Sequence, residues 1–179
     1  MFHRNFVIAL FATLLIALPV QANAASPTIA VVDVERILAE SKAAQSLQKQ
    51  LQGKKEAFQK EFSTKEKELK GAETTLLSEK EKLSAEEFAK KRKAYEEKVI
   101  ETRKEFQKSR ASLDSGLSKA MAELRKSIVE AAAKVAADKK FEVILTRESV
   151  LIADKKLDIT EDVLKALDGS VTSIPLKVE

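Results

Sequence analysis

Apolar and polar positions along the chain change their period several times, and each change predicts a new element of structure. Residues 28–34, Thr-Ile-Ala-Val-Val-Asp-Val, are apolar on both faces and rich in β-branched side chains, which is typical of a buried strand. From about Glu35 the apolar residues fall into two columns with a seven-residue repeat, as in a helix that packs along one seam. The columns contain Ile37, Ala44, Leu51, Phe58 and Ala72, and Phe62, Leu69, Leu76 and Leu83. Lys65 interrupts the first column, so we predict a weak coiled coil.

A turn is predicted at residues 84–87, Ser-Ala-Glu-Glu, because this order of side chains forms a capping box that starts a helix. The alternative is a single helix that continues through Ser84. The hairpin is favoured because the following helix runs to about Lys139, which makes the two arms that flank Ser84 nearly equal in length. This second helix has a seam of its own, formed by Phe88, Tyr95, Val99, Thr102, Phe106 and Leu113. We therefore predict an antiparallel helical hairpin with its tip near residues 80–85.

The remaining apolar patterns predict a small body at the other end of the hairpin. Beyond Leu113 the apolar spacing departs from a strict heptad, so we expect this last part of the second helix to pack on strands. Residues 141–146 and 150–153 predict a β-hairpin, and a last helix follows residues 158–161. The tail, residues 170–179, has alternating apolar side chains and is either an edge strand or a loose end. The pattern leaves both alternatives open.

The N-terminus has the pattern of a secretory signal peptide. Arg4 gives a positive start, residues 6–18 form an apolar stretch, and residues 22–24, Ala-Asn-Ala, form a cleavage site. The alternative is an uncleaved anchor, but this apolar stretch is shorter than the roughly 20 residues that a spanning helix needs. We therefore predict cleavage after Ala24 and export to the periplasm.

These patterns divide the chain into a signal peptide, residues 1–24, a body, residues 25–40 and 113–179, and an arm, residues 41–112. The predicted fold class is α+β and mostly α, with a long antiparallel helical hairpin, or coiled-coil tentacle, that projects from a small β-strand body. This body has too few residues to bury a core of its own economically. We therefore expect it to oligomerise with other copies of the chain.

Composition excludes most enzyme classes. The chain contains no Cys, and its one His lies in the predicted signal peptide. The exported part therefore lacks the residue types most used for proton transfer near neutral pH and for zinc binding. A glycosidase that uses carboxylates alone is the remaining enzyme alternative, but the candidate Asp and Glu residues lie on helix faces that we expect to be solvated. We predict no catalytic residue, no cofactor and no metal site.

Charge dominates the arms. Charged residues make up 34% of the chain, and four cations stand together near the predicted tip: Lys90, Lys91, Arg92 and Lys93. Such a cluster is a candidate patch for an anionic partner, for example the phosphates of lipopolysaccharide or an anionic membrane surface. The alternative is a solvated helix turn without a partner. Nucleic acid is a poor candidate, because the chain is predicted to be exported and carries many acidic residues.

Several segments together resemble the Skp/OmpH family of periplasmic chaperones. They are the signal peptide, the opening Ile-Ala-Val-Val-Asp at 29–33, the charged hairpin, Glu-Val-Ile-Leu at 142–145 and Asp-Ile-Thr-Glu-Asp-Val-Leu-Lys at 158–165. The resemblance implies a homotrimer with a small β-barrel body and three helical tentacles that enclose a cavity. Unfolded outer-membrane proteins would be held in this cavity without ATP until their delivery to the outer membrane. The tail beyond Leu167 is longer than this family leads us to expect.

The resemblance gives the arms a role in binding clients. Flexible arms with scattered apolar side chains among charges can surround an unfolded chain through many weak contacts. The candidate client contacts are the arm aromatics Phe58, Phe62, Phe88, Tyr95 and Phe106. The alternative at these positions is that all of them belong to the seam. The alternative for the whole protein is a structural coiled-coil protein of the cell envelope that binds no client.

Overall fold

A computed structural model describes residues 27–178, and the predicted signal peptide lies outside them. The described chain consists of two short strands, four α-helices and two single turns of 3-10 helix. In chain order these are β1 (Ile29–Val32), α1 (Val34–Glu40), α2 (Lys42–Glu79), α3 (Ala85–Lys139), β2 (Val143–Thr146), the 3-10 turns Arg147–Ser149 and Lys155–Leu157, and α4 (Thr160–Ser170).

The two strands form a parallel pair although α1, α2 and α3 separate them in sequence. Ile29 lies opposite Val143 and Val32 lies opposite Thr146. This pairing is possible because α2 and α3 run antiparallel and return the chain to its starting point. At 1.5 Å per residue, the 38 residues of α2 span about 57 Å and the 55 residues of α3 about 82 Å. The predicted buried strand and the predicted long hairpin are both confirmed.

The predicted β-hairpin of residues 141–146 and 150–153 is wrong. Residues 143–146 do form β2, but β2 pairs with β1, and residues 150–153 form no strand. The reason lies on the other edge of β1, where Asp158 forms a bridge with Val31. The chain must cross from one edge of β1 to the other within residues 147–157, so it cannot fold back along β2.

A break at Ser41 separates α1 from α2, whereas the sequence pattern predicts one continuous helix from about Glu35. Ser41 is buried, and its hydroxyl accepts a hydrogen bond from the N–H of Ala44 at 3.3 Å. Its own N–H donates to the carbonyl of Ile37. One residue therefore ends α1 and begins α2, which lets α1 turn onto the body while α2 enters the arm.

The core of the body lies where the end of α3 packs on α4, α1 and β2. Its central side chains are fully or almost fully buried, and they are Ile37, Leu124, Ile128, Ile159, Val163 and Leu167. The predicted change of partner along the second helix is confirmed, because the side chains of α3 from residue 116 onwards enter this core, but the main partner there is α4 and not the strands. The helix ends at Lys139, and the positive φ of 60° at the next residue, Lys140, turns the chain towards β2.

The tail beyond α4 is irregular in structure but not loose. Ile174 and Leu176 are only 1% and 6% exposed and join the core of the body. Neither residue belongs to a strand. The tail is therefore neither an edge strand nor a loose end, the two alternatives that the sequence left open. It packs on the body without strand pairing.

Candidate functional site

The arm formed by α2 and α3 contains almost no core. Between residues 48 and 115, which are all described, the only buried side chains are Leu76 and Thr102. Every other position is exposed or half-buried. The arm is thus a pair of helices held by a narrow seam. Its long surface does not pack on the body and is exposed to solvent.

The tip of the arm has the predicted capping box. The N–H of Glu87 donates to the Ser84 hydroxyl at 3.3 Å, and the main-chain N–H of Ser84 donates to the Glu87 carboxylate at 3.0 Å. The Ser84 hydroxyl also donates to this carboxylate at 2.7 Å. The hydrogen bonds from the side chain and main chain of Ser84 hold the pKa of Glu87 below its ordinary value.

We expect the capping box to make the stability of the arm depend on pH. Ser84→Ala should lower the free energy of unfolding by roughly 1 kcal/mol near neutral pH, because the first turn of α3 loses an acceptor. The pKa of Glu87 is lowered in the folded state, so its contribution is fully present above its ordinary pKa of 4.5 and is lost as the pH falls through the lowered value. Thermal melts followed by circular dichroism should therefore show that Glu87→Gln destabilises the chain at about pH 7 and much less at about pH 3. An equal loss at both values would contradict this assignment.

Three of the five aromatic residues proposed as client contacts pack together in the seam. The ring of Phe106 meets those of Phe58 and Phe62 edge to face, with centroids 5.4 and 4.8 Å apart. Such contacts add about 0.5–1.5 kcal/mol beyond the burial of area. Phe88 and Tyr95 also lie half-buried along the arm. All five rings keep part of their surface open, so packing in the seam and contact with a client compete for the same side chains.

Two aliphatic residues on the arm are more exposed than any of these aromatics. Leu77 is 61% exposed and Ile100 is 66% exposed. The sequence carries a signal for both, because each directly follows a seam residue, Leu76 or Val99. Neighbouring residues in a helix do not face the same side, so one member of each apolar pair must point away from the seam. The candidate contacts predicted from the sequence are all aromatic and do not include these two exposed positions.

The four cations near the tip are mostly paired with carboxylates of the arm itself. Lys91 lies 2.5 Å from Glu79 of α2, which ties the two helices together. Arg92 and Lys93 pair with the carboxylates four residues further along α3, at 3.3 and 3.9 Å. Lys90 has no carboxylate within ion-pair distance in residues 27–178. These pairs are exposed and weak, so they leave the cations able to exchange partners.

Binding of an anionic partner at Lys90, Lys91, Arg92 and Lys93 stays a prediction. We expect Lys90→Ala to weaken binding to vesicles that contain lipopolysaccharide about fivefold, since one basic residue near an anionic surface contributes about 1 kcal/mol. Cosedimentation with the vesicles measures this binding. Lys55→Ala removes an exposed cation from the same arm, far from the tip, and is the control. Unchanged binding of the Lys90 variant would exclude the patch as a binding site.

Within residues 27–178, no group of three or more His, Cys, Asp or Glu side chains is arranged to hold a metal ion. None of the helices in this part of the chain combines the length and apolar content that are needed to cross a bilayer. A hollow of about 400 Å³ between α2 and α3 is lined by Leu76 and Tyr95, which adds apolar surface to the arm near its tip.

Known proteins resemble this chain both in sequence and in fold. A family model described as outer membrane protein (OmpH-like) matches residues 28–167. An uncharacterized protein of Aquifex aeolicus (strain VF5) is 36% identical over 147 residues, which cover 78% of this chain and 85% of the relative. The crystal structure of a proposed OmpH-like outer membrane chaperone from Caulobacter crescentus CB15 shares the fold, with a TM-score of 0.79 at 19% identity. That match covers 87% of this chain and 92% of the solved one.

Proposed function

We propose that this chain, which belongs to the OmpH-like family of outer membrane proteins, is a periplasmic chaperone. It binds unfolded outer-membrane proteins without ATP, prevents their aggregation and aids their delivery to the outer membrane. The observation that carries this proposal is the arm: over residues 48–115 only Leu76 and Thr102 are buried, so the arm offers partly open apolar side chains along its whole length. The predicted signal peptide supports export to the periplasm.

The chemistry of the arm fits an unfolded β-barrel chain. Such a chain exposes strand edges and alternating apolar residues, which aggregate readily. Leu77 and Ile100 offer exposed apolar surface, and the half-buried rings of the seam can add more when the helices separate. Residues 53–110 contain 17 Lys or Arg and 13 Asp or Glu, so the arm carries a positive excess that attracts acidic clients. Many weak contacts then hold the client without one strong site.

Holding of this kind needs no nucleotide. Binding lowers the free concentration of the species that aggregates, and mass action alone sets how much remains free. The sequence contains no Gly-x-x-x-x-Gly-Lys-Ser/Thr phosphate-binding loop. Release needs no nucleotide either, because bound client re-equilibrates whenever free client is removed.

The body supports self-association into the homotrimer that the family resemblance implies. The outer edge of β2 pairs with no other strand in residues 27–178, and two of its side chains, Val143 and Leu145, are 40% and 37% exposed. Leu151 and Ile152 are 94% and 85% exposed, which is unusual for adjacent large aliphatic residues. An open strand edge and an apolar segment next to it are typical of surfaces that pair with another chain. We propose that residues 150–153 of one copy cover β2 of its neighbour.

Light scattering tests the proposed function directly. A urea-unfolded outer-membrane β-barrel protein is diluted into buffer with and without the chain, in the absence of nucleotide. With the chain at about ten times its Kd, roughly nine tenths of the client is bound, and scattering falls accordingly. Scattering that does not change with added chain would favour a structural coiled-coil protein of the cell envelope. The edge-to-face packing of Phe106 on Phe58 and Phe62 is the feature that favours this second candidate.

A further inference from the structure

The C-terminal tail, residues 171–178, lies across both helices at the base of the arm. Ser173 shares a hydrogen bond of 2.8 Å with Ser46 of α2. On the other side, the main chain at Lys177 lies directly against Gly116 of α3. The groove between α2 and α3 at this level, which we call the base groove, is thus defined by Ser46, Gln50 and Gly116.

One side chain of the base groove holds the tail by its main chain. The amide of Gln50 donates to the carbonyl of Ile174 at 2.9 Å and accepts from the N–H of Leu176 at 2.9 Å. A single amide therefore pairs with the chain on both sides of Pro175, as a residue of a neighbouring strand would. Main-chain hydrogen bonds of this kind give affinity for any extended peptide, whatever its sequence.

The side chains of the tail alternate between the groove and solvent. Ile174 and Leu176 are 1% and 6% exposed, while Pro175 and Lys177 between and beyond them are exposed. Apolar residues spaced two positions apart are typical of a β-strand with one apolar face. A cavity of about 290 Å³ lies between α3 and the exposed side of the tail at Pro175 and Lys177, so the tail does not cover the whole surface of α3 at this level.

Gly116 shows that α3 is shaped for this close approach. A Cβ placed at residue 116 would lie 2.0 Å from the carbonyl oxygen of Lys177, whereas a Cβ at Gly53, Gly71 or Gly169 meets nothing within 4 Å. Glycine is unfavourable inside a helix, so its presence at the contact is explained by the main chain that it admits. The family match ends at residue 167, and the tail that fills the groove lies beyond it.

We propose that the base groove is a binding site for extended segments of unfolded chains with apolar residues two apart, and that the tail occupies it in place of a client. The proposal rests on the proposed function, because transmembrane β-strands have this alternation. The tail is tethered, so it competes at a high effective concentration. A client must displace it, and the tail then sets the strength of client binding at the base of the arm.

Binding of a peptide to the full chain tests the groove. The probe is a fluorescein-labelled peptide with the sequence of residues 171–178, and binding is measured by fluorescence anisotropy. The variant Ile174→Ser/Leu176→Ser frees the groove and should bind the probe about tenfold more tightly than the intact chain. This is the change expected if the tail leaves the groove open in about a tenth of the intact molecules. Adding Gly116→Ala to this variant should abolish the gain, and adding Gly53→Ala should not. Equal affinity of the intact and freed chains, or no effect of Gly116→Ala, would overturn the proposal.

Hydrogen exchange of the intact chain provides a test that needs no variant. The N–H of Leu176 is bonded to Gln50, and it should exchange faster when an unfolded barrel protein is added, because the client displaces the tail. Unchanged protection in the presence of bound client would overturn the proposal. Light scattering on the same samples separates the two hypotheses. Suppressed aggregation with unchanged protection of the Leu176 N–H would contradict the groove proposal but not the chaperone function. Aggregation that is not suppressed would contradict the chaperone function, and the peptide experiment would then decide whether the groove binds extended segments.

Discussion

Replacing Leu124 by alanine should lower the free energy of unfolding by about 2–5 kcal/mol, the range for large aliphatic side chains removed from a close-packed core. Leu124 is fully buried and belongs to the same cluster as Leu47 of α2 and Leu167 of α4. Its loss leaves a cavity where three helices meet, and the surrounding side chains relax only partly into such a cavity. The body of the protein would then be the first part to unfold.

Urea denaturation at a fixed protein concentration measures this effect, since self-association would make the midpoint depend on concentration. Val129→Ala is the matched control: Val129 lies on the same helix, but it is 66% exposed. Its substitution should change the free energy of unfolding by less than about 0.5 kcal/mol. Similar effects of the two substitutions would show that the end of α3 is not the centre of the core.

The second large effect should appear in client binding when Leu77 and Ile100 are both replaced by serine. Full burial of such a side chain contributes about 1.5–3 kcal/mol, and burial of about half of each side chain by a client gives about 1 kcal/mol apiece. The double variant should therefore raise the Kd for an unfolded barrel protein roughly 30-fold. Titration of a fluorescent unfolded client, followed by anisotropy, gives this Kd.

The control for the arm is again Val129, changed to serine. It has the same exposure as Ile100, but it lies on the part of α3 that packs on the body. We expect Val129→Ser to leave the Kd unchanged, and circular dichroism should show equal helix content in all three proteins. If the double variant binds the client as tightly as the original chain, the exposed aliphatics of the arm do not contact clients.

Local signals in the sequence predicted the arm well. The capping box at residues 84–87 places both of its hydrogen bonds within four residues, so the sequence alone specifies the start of α3. The break at Ser41 is the counterexample. Ser41 caps α2, but Ala44 stands where a capping box would have Glu or Gln, and the signal is too weak to interrupt the apolar column through Ile37 and Ala44.

The pairing between segments that are distant in sequence could not be predicted from the pattern of apolar and polar residues. Residues 141–146 and 150–153 both have the composition of strands, and composition cannot say which partner a strand will choose. The choice depends on β1, which takes β2 on one edge and Asp158 on the other. The tail illustrates the same limit, because its fit depends on Gln50 and Gly116, which lie far away in sequence.

The candidate site shows both outcomes. Aromatic residues at seam spacing were predicted either to bind clients or to pack, and Phe58 and Phe62 both pack on Phe106 while all three rings remain half-buried. The most exposed apolar residues of the arm, Leu77 and Ile100, required attention to helix phase rather than to residue type. Apolar residues that follow the seven-residue repeat pack in the seam between α2 and α3. Apolar residues directly next to that repeat stay exposed, which leaves them able to contact a partner.

Sedimentation velocity tests the central claim most directly, because it reports assembly size and client capture in one run. The chain is mixed with a fluorescent, urea-unfolded outer-membrane barrel protein in the absence of nucleotide, and the fluorescence is followed during sedimentation. We predict that the client moves as a soluble complex that is larger than the chain alone, and that the chain alone sediments as an oligomer. A client that pellets as aggregate while the chain sediments at its own unchanged rate would contradict the account.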